Sequence, residues 1–169
     1  MNDESKQIEA LVAENKSLKR RIQDLEKLED EYLRTQKSLM ESEERYRSVF
    51  ENTGTATIII QNDMSISMVN AKFEALTGRS KDEIQGKMQW TDFVVPEDIE
   101  RMKEYHYKRR EDRHAAPTEY ECRVFNRDGE IRDMFVKIDM IQGSSDSVAS
   151  FMDITAFKQT EAALIESER

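Results

Sequence analysis

The sequence predicts an α+β protein: a long amino-terminal helix, then a five-stranded antiparallel sheet with short helices gathered on one side, then the start of a further helix. Three observations predict it. Residues 3–47 contain neither Gly nor Pro and are dominated by Glu, Lys, Arg, Gln and Leu, which are strong helix formers. Beyond Thr53 the chain breaks into short β-prone runs and short, well-punctuated helices. From Glu119 onward, polar and apolar side chains alternate, the pattern of strands with one buried face.

Composition narrows the function classes. Of 169 residues 36% are charged and 37% hydrophobic, too polar for one compact globule, so part of the chain lies outside the core. The net charge of −9 lacks the electrostatic footprint of a general nucleic-acid binder. The single cysteine, Cys122, excludes an internal disulfide and a Cys-rich zinc site. No apolar run is long enough to span a bilayer, and none near Met1 resembles a signal peptide. The expected setting is a reducing cytoplasm, with neither nucleic acid nor membrane as partner.

The first element, residues 1–46, reads as a coiled-coil helix. Ile8, Leu11, Leu18, Ile22 and Leu25 fall at a and d positions of a seven-residue repeat, with Asn15 as a polar a residue. These six predict a homodimer interface. In that register Glu14 and Arg21 at g face Lys19 and Glu26 of a second copy at e, opposite in sign in both cases, which favours parallel pairing. After Leu25 a three-residue skip is needed to keep Tyr32, Leu39 and Tyr46 on one stripe, as in a stammer. The basic cluster of Lys16, Lys19, Arg20 and Arg21 lies within the heptads and among acids, so it reads as a solvated face rather than a DNA-reading helix.

The domain that follows spans residues 47–156. TATIII (Thr55 to Ile60) and SISMVN (Ser65 to Asn70) form a hairpin around Gln61 to Met64. Ala71 to Thr77 is a short helix closed by Gly78. Ser80 and Glu83 make a capping box for the next turn. Pro96 opens a longer helix, acidic in its first turn and carrying Lys108, Arg109 and Arg110 near its last, which complements the helix dipole. Three strands complete the sheet. The first covers Glu119 to Val124, and Asp128-Gly129 turns the chain back. The second presents Met134, Val136, Ile138 and Met140 on one face. The third runs from Val148 to Ile154.

Several phrases together resemble the PAS domain of bacterial and archaeal sensor proteins: ERYRSVFENT (44–53), Asn70, FEALTGRSKDEIQGK (73–87), VPEDIERM (95–102), RDGEIR (127–132) and DITAFKQTEAAL (153–164). Their order and spacing carry the resemblance, which covers residues 43–158. One departure is Met64, which stands where such domains often have Gly. The resemblance implies a PAS/PAC sensory or signal-relay module of a multidomain signal-transduction protein, such as a two-component system, acting as a homodimer on a downstream output domain. The alternative is a ligand-free dimerisation or docking module with a packed core.

TQKSLMESEER (35–45) returns in shortened form as TEAALIESER (160–169). Under the resemblance, residues 157–169 are a signalling linker helix that begins the next module of a tandem array. Asp153 and Thr155 then form the joint that transmits strain from the last strand, their side-chain oxygens capping the first free N–H groups of that helix.

A small curved sheet covered by helices either packs solid or holds a small ligand. The side chains expected to border such a space are Ile60, Phe73, Trp90, Phe93, Met102, His106, Tyr120, Cys122, Met134, Val136 and Ile138. Ile99, Met102 and His106 share one helix face by their spacing. No cofactor is specified. Covalent flavin photochemistry is not expected, because MQWTDFVV (88–95) has no Cys. Haem has only Met102 at the aligned position, with His106 one turn on, and non-covalent flavin has Trp90 as a wall but no motif. No metal site, phosphate-cradling Gly loop or nucleophile elbow is present in the sequence, so the chain is not expected to be an enzyme. Output activity, such as a histidine kinase or diguanylate cyclase, belongs elsewhere.

Overall fold

A computed structural model describes residues 3–167. Its elements are α1 (Asp3–Glu51), β1 (Ala56–Ile60), β2 (Ile66–Val69), α2 (Ala71–Thr77), α3 (Lys81–Ile84), a 3₁₀ turn (Trp90–Asp92), α4 (Pro96–Glu111), β3 (Glu119–Phe125), β4 (Ile131–Met140), β5 (Ser147–Asp153) and α5 (Thr155–Ser167). The five strands form one antiparallel sheet in the order β2-β1-β5-β4-β3. This is the α+β architecture expected. The last two residues of the repeated phrase, Glu168 and Arg169, lie outside the described residues, as do Met1 and Asn2.

The chain divides into two units, the first ending at Ser48 and the second starting at Val49. In the first, the Gly- and Pro-free stretch is continuously helical, and Ile8, Leu11, Asn15, Leu18, Ile22 and Leu25 are all exposed on the single chain.

Local chemistry explains the second unit's boundaries. Asn70 caps α2, Gly78 ends it in the left-handed region at φ 68°, and the Ser80–Glu83 capping box starts α3 as read from the sequence. Pro96 occupies the first turn of α4. In the β1–β2 turn Met64 takes φ 72°, the one non-Gly residue with positive φ among those described. A left-handed Met is strained. Its side chain packs against the core, a use that a glycine there lacks.

Register places the core. Cys122 pairs with Met134, Val136 with Phe151, and Ile58 with Ala149, so their side chains stack on one face of the sheet. β1 lies between β2 and β5 and is buried at all five positions. Phe73 of α2 meets Phe93 edge-on at 5.4 Å and Phe151 at 5.7 Å, joining the helical layer to the sheet.

Asn70 ties these parts together. It is fully buried at 0% exposure, and its Oδ1 accepts from the N–H groups of Thr57 (2.9 Å) and Phe73 (3.1 Å). Its Nδ2 donates to Thr53 Oγ1 (2.8 Å) and to the Thr55 carbonyl (3.0 Å). One side chain thus satisfies the start of β1, the segment before it and the start of α2.

Candidate functional site

Between the sheet and the helices lies a cavity lined from four of the five strands, from α2 and α4 and from the 3₁₀ turn. β1 contributes Ile58 and Ile60, α2 Phe73, Leu76 and Thr77, the 3₁₀ turn Trp90, and α4 Met102, His106 and Arg109. β3 contributes Tyr120 and Val124, β4 Val136 and Ile138, and β5 Ala149 and Phe151. Phe93 and Val94 close one side. The unfilled space is about 20 Å³, enough for about one water.

Nine of the eleven side chains expected at such a space line it: Ile60, Phe73, Trp90, Phe93, Met102, His106, Tyr120, Val136 and Ile138. Cys122 and Met134 do not. They face each other across β3 and β4 and are packed in the core beyond the cavity's walls. Alternation placed them on the correct face, but along β4 the cavity ends at Val136, short of Met134, and on β3 it is Tyr120 and Val124, on either side of the buried Cys122, that line it. Burial pushes the Cys122 thiol up to about 12, so the sulfur is a protonated, unreactive core group.

The charged lining residue that sequence reasoning missed is Arg109, in addition to Ile58, Leu76, Thr77, Val94, Val124, Ala149 and Phe151. It stands three positions after His106 and seven after Met102, hence on the same inward face of α4. That spacing was the available signal, masked by the ordinary place of a basic residue in a last helical turn. Arg109 is only 2% exposed. Its Nη1 donates to the Tyr105 carbonyl at 3.4 Å and its Nη2 to the Pro117 carbonyl, while Nε has no partner. Trp90 Nε1 is also buried without one.

His106 is fully engaged. Its Nε2 meets the Asn62 carbonyl at 3.0 Å, which fixes the proton on that nitrogen, and Nδ1 then accepts from Arg110 Nη1 at 2.9 Å. Burial holds its pKa below the ordinary imidazole value, and Arg110 and Arg109 act in the same direction. His106 therefore presents no free nitrogen to a haem iron. The cavity in this arrangement is also smaller than a porphyrin or an isoalloxazine ring, and no cysteine lines it for a covalent flavin bond. Burial raises the Tyr120 hydroxyl to about 12, so it remains a neutral phenol.

A second feature lies where β5 leaves the sheet. Asp153 Oδ1 accepts from the Thr155 N–H at 2.9 Å, capping the first turn of α5. Burial works to raise the Asp153 pKa, but the Thr155 hydrogen bonds and Arg132, at 3.3 Å, together hold it below the usual carboxylate value. Thr155 departs from the expected capping role. Its Oγ1 accepts from the Asp133 N–H of β4 at 2.9 Å, and the Asp133 carbonyl accepts from Ile154 N–H at 2.9 Å. The hydroxyl is drawn to the sheet because β4 runs past β5 and presents that N–H there. Lys158 adds ion pairs to Glu121 (2.5 Å) and Asp133 (3.5 Å). Beyond these ties α5 has no buried residue.

The family described as the PAS fold matches residues 66–154. This chain belongs to the PAS family. The PAS domain of an HTR-like protein from Haloarcula marismortui superposes with a TM-score of 0.56 at 22% identity, over 72% of this chain and 98% of that one. A PAS domain from Colwellia psychrerythraea gives 0.58 at 21% identity, over 67% and 97%. A sensory box histidine kinase/response regulator structure from Burkholderia thailandensis gives 0.54 at 20% identity, over 73% and 95%. No curated protein matches the sequence. PAS domains are sensory modules of signalling proteins, so the cavity and the β5–α5 joint are the features to read functionally. No described helix is long and apolar enough to cross a membrane.

Proposed function

We propose that this PAS domain senses a small ligand in its cavity, or receives a conformational signal, and relays it through α5 to an output domain of a multidomain signal-transduction protein. The observation that carries the reading is the joint: among the described residues, the hydrogen bonds and ion pairs that tie α5 to the sheet lie at its first turn, at Asp153, Thr155 and Lys158. A shift of β4 against β5 therefore acts directly on the helix. A ligand drives such a shift only if it binds the two arrangements unequally.

The working unit in this proposal is a cytoplasmic homodimer paired through the amino-terminal coiled coil. The exposed stripe of Ile8, Leu11, Leu18, Ile22 and Leu25 supports it, since apolar side chains at this spacing are covered by a partner helix. Leu18→Glu is expected to convert the dimer to monomer. The domain is proposed to have no catalytic activity of its own, output lying outside these residues.

A second reading, a ligand-free dimerisation or docking module, is favoured by the small unfilled volume of about 20 Å³. Native mass spectrometry of protein purified from cells, with an absorbance scan of the same sample, separates the two. A dimer carrying an extra mass that is lost on denaturation supports ligand sensing. A bare dimer supports the packed module, and a monomer rejects the pairing.

A further inference from the structure

We infer that the cavity takes a hydrophobic monocarboxylate, whose oxygens accept from Arg109 Nε–H and Trp90 Nε1–H while its apolar body lies against Ile58, Ile60, Phe73 and Val136. This rests on the ligand-sensing reading above and names the ligand class.

The argument begins with charge. Arg109 is buried, lines the cavity and forms no ion pair with a described acid. Asp139, the acid whose field reaches it, is exposed and paired with Arg113 at 2.8 Å. Two carbonyl dipoles compensate part of a guanidinium charge, but a buried cation without an anion is costly. Arg110, next along the helix, adds a second positive charge whose Nη groups are consumed by the carbonyls of His106, Ile60 and Gln61.

Hydrogen bonding then narrows the class. An indole N–H only donates, and the free Arg109 Nε–H is also a donor, so two groups that line the cavity on different elements need acceptors; Arg110 Nε is buried without a partner as well, but Arg110 does not line the cavity. His106 contributes no further free donor, because both its nitrogens are used. A carboxylate offers two acceptor oxygens and one negative charge, which matches this inventory. An alcohol leaves the charge uncompensated, an amine is repelled, and a phosphate brings more acceptors and a larger desolvation cost than two donors offset. The remaining walls are aliphatic and aromatic, so the rest of the ligand is apolar.

The closed cavity of about 20 Å³ must open to admit such a molecule. Met102 and Leu76 are the side chains suited to yield, Met being unbranched and adaptable. Opening moves α4 against the sheet, so binding is coupled to the conformation that the joint reads.

The test is a calorimetric and NMR titration of the 169-residue chain, refolded from denaturant to strip bound molecules, with straight-chain monocarboxylates from acetate to decanoate. Alcohols and amines of equal length serve as comparisons. The expected result is saturable binding of the acids, at least about tenfold tighter than of the alcohols, with chemical-shift changes at Arg109 and Trp90. Arg109→Gln should erase the preference for acid over alcohol, and Trp90→Phe, which keeps the ring and removes the N–H, should weaken acid binding severalfold. If Arg109→Gln does not fold, the acid-to-alcohol ratio of the wild type and the Trp90→Phe variant decide. Equal binding of acid and alcohol, or release of an uncharged molecule from the purified protein, overturns the carboxylate assignment and leaves ligand sensing standing. Absence of binding across the series, with nothing released from the purified protein, overturns both.

Discussion

Thr155 Oγ1 accepts the backbone N–H of Asp133 at 2.9 Å, joining the first residue of α5 to a strand that is not its own. The bond spans 22 positions of sequence and bridges β4 to the helix that β5 runs into.

Thr155→Val keeps the side chain's shape and removes this acceptor. The expected cost is about 1 kcal/mol for a partly buried hydrogen bond, with the fold retained. Hydrogen exchange should accelerate at Asp133 and through Thr155–Lys158 while the β1 amides stay protected. Asp153→Ala should loosen the same turn by loss of its cap. Unchanged exchange in both variants would place the joint elsewhere.

Asn70→Ala removes the acceptor of the buried Thr57 N–H and one bond each from the Phe73 N–H and the Thr55 carbonyl, which keep the Asn70 backbone carbonyl and the Thr53 and Thr57 hydroxyls as partners. The expected destabilisation is about 2 kcal/mol, since the Thr57 N–H loses its desolvation compensation and the other bonds of the amide are lost with it. Urea unfolding should show a lower midpoint at unchanged slope. A loss below about 1 kcal/mol would mean that water replaces the amide, which the burial argues against.

His106 sets a pH dependence. Unfolded, its imidazole takes a proton near its ordinary value of 6.5; folded, burial depresses that value, the Asn62 carbonyl opposes it next in strength, Arg110 and Arg109 depress it further, and Asp63 opposes weakly, leaving it lowered. Between the two values the unfolded chain binds more protons, so stability falls as pH drops through 6.5 and levels off below the folded value. His106→Gln should flatten this part of the profile. Asp98 and Asp153, whose pKa values are lowered from 3.8, lose their contribution only in more acidic solution, so the two windows separate. A profile for His106→Gln that parallels the wild type between pH 5 and 7 would sink the assignment.

Cys122 reports on the core. With its thiol buried and raised to about 12, alkylation by iodoacetamide should be negligible in the native state and rapid in urea. Modification of the native protein at the rate of a free thiol would show that β3 opens locally.

What the sequence determined by itself was everything governed by near neighbours. The 3.6-residue pattern and absence of Gly and Pro produced α1, Asn70 and Gly78 bounded α2, Ser80 with Glu83 started α3, and alternation along β4 chose the buried face of Met134, Val136 and Ile138. Each depends on residues within about one turn or one pleat, so the signal is local. Tertiary structure decided the rest. Arg109 reads as a solvated helix end until Pro117 and the cavity walls enclose it, Met134 lies beyond the end of the cavity along β4 while Cys122 is packed between the lining residues Tyr120 and Val124, and Thr155 turned from a cap to a cross-strand acceptor because β4 offers an N–H there. In all three the deciding partner is distant along the chain or set by packing, and neither periodicity nor capping chemistry encodes a contact of that kind.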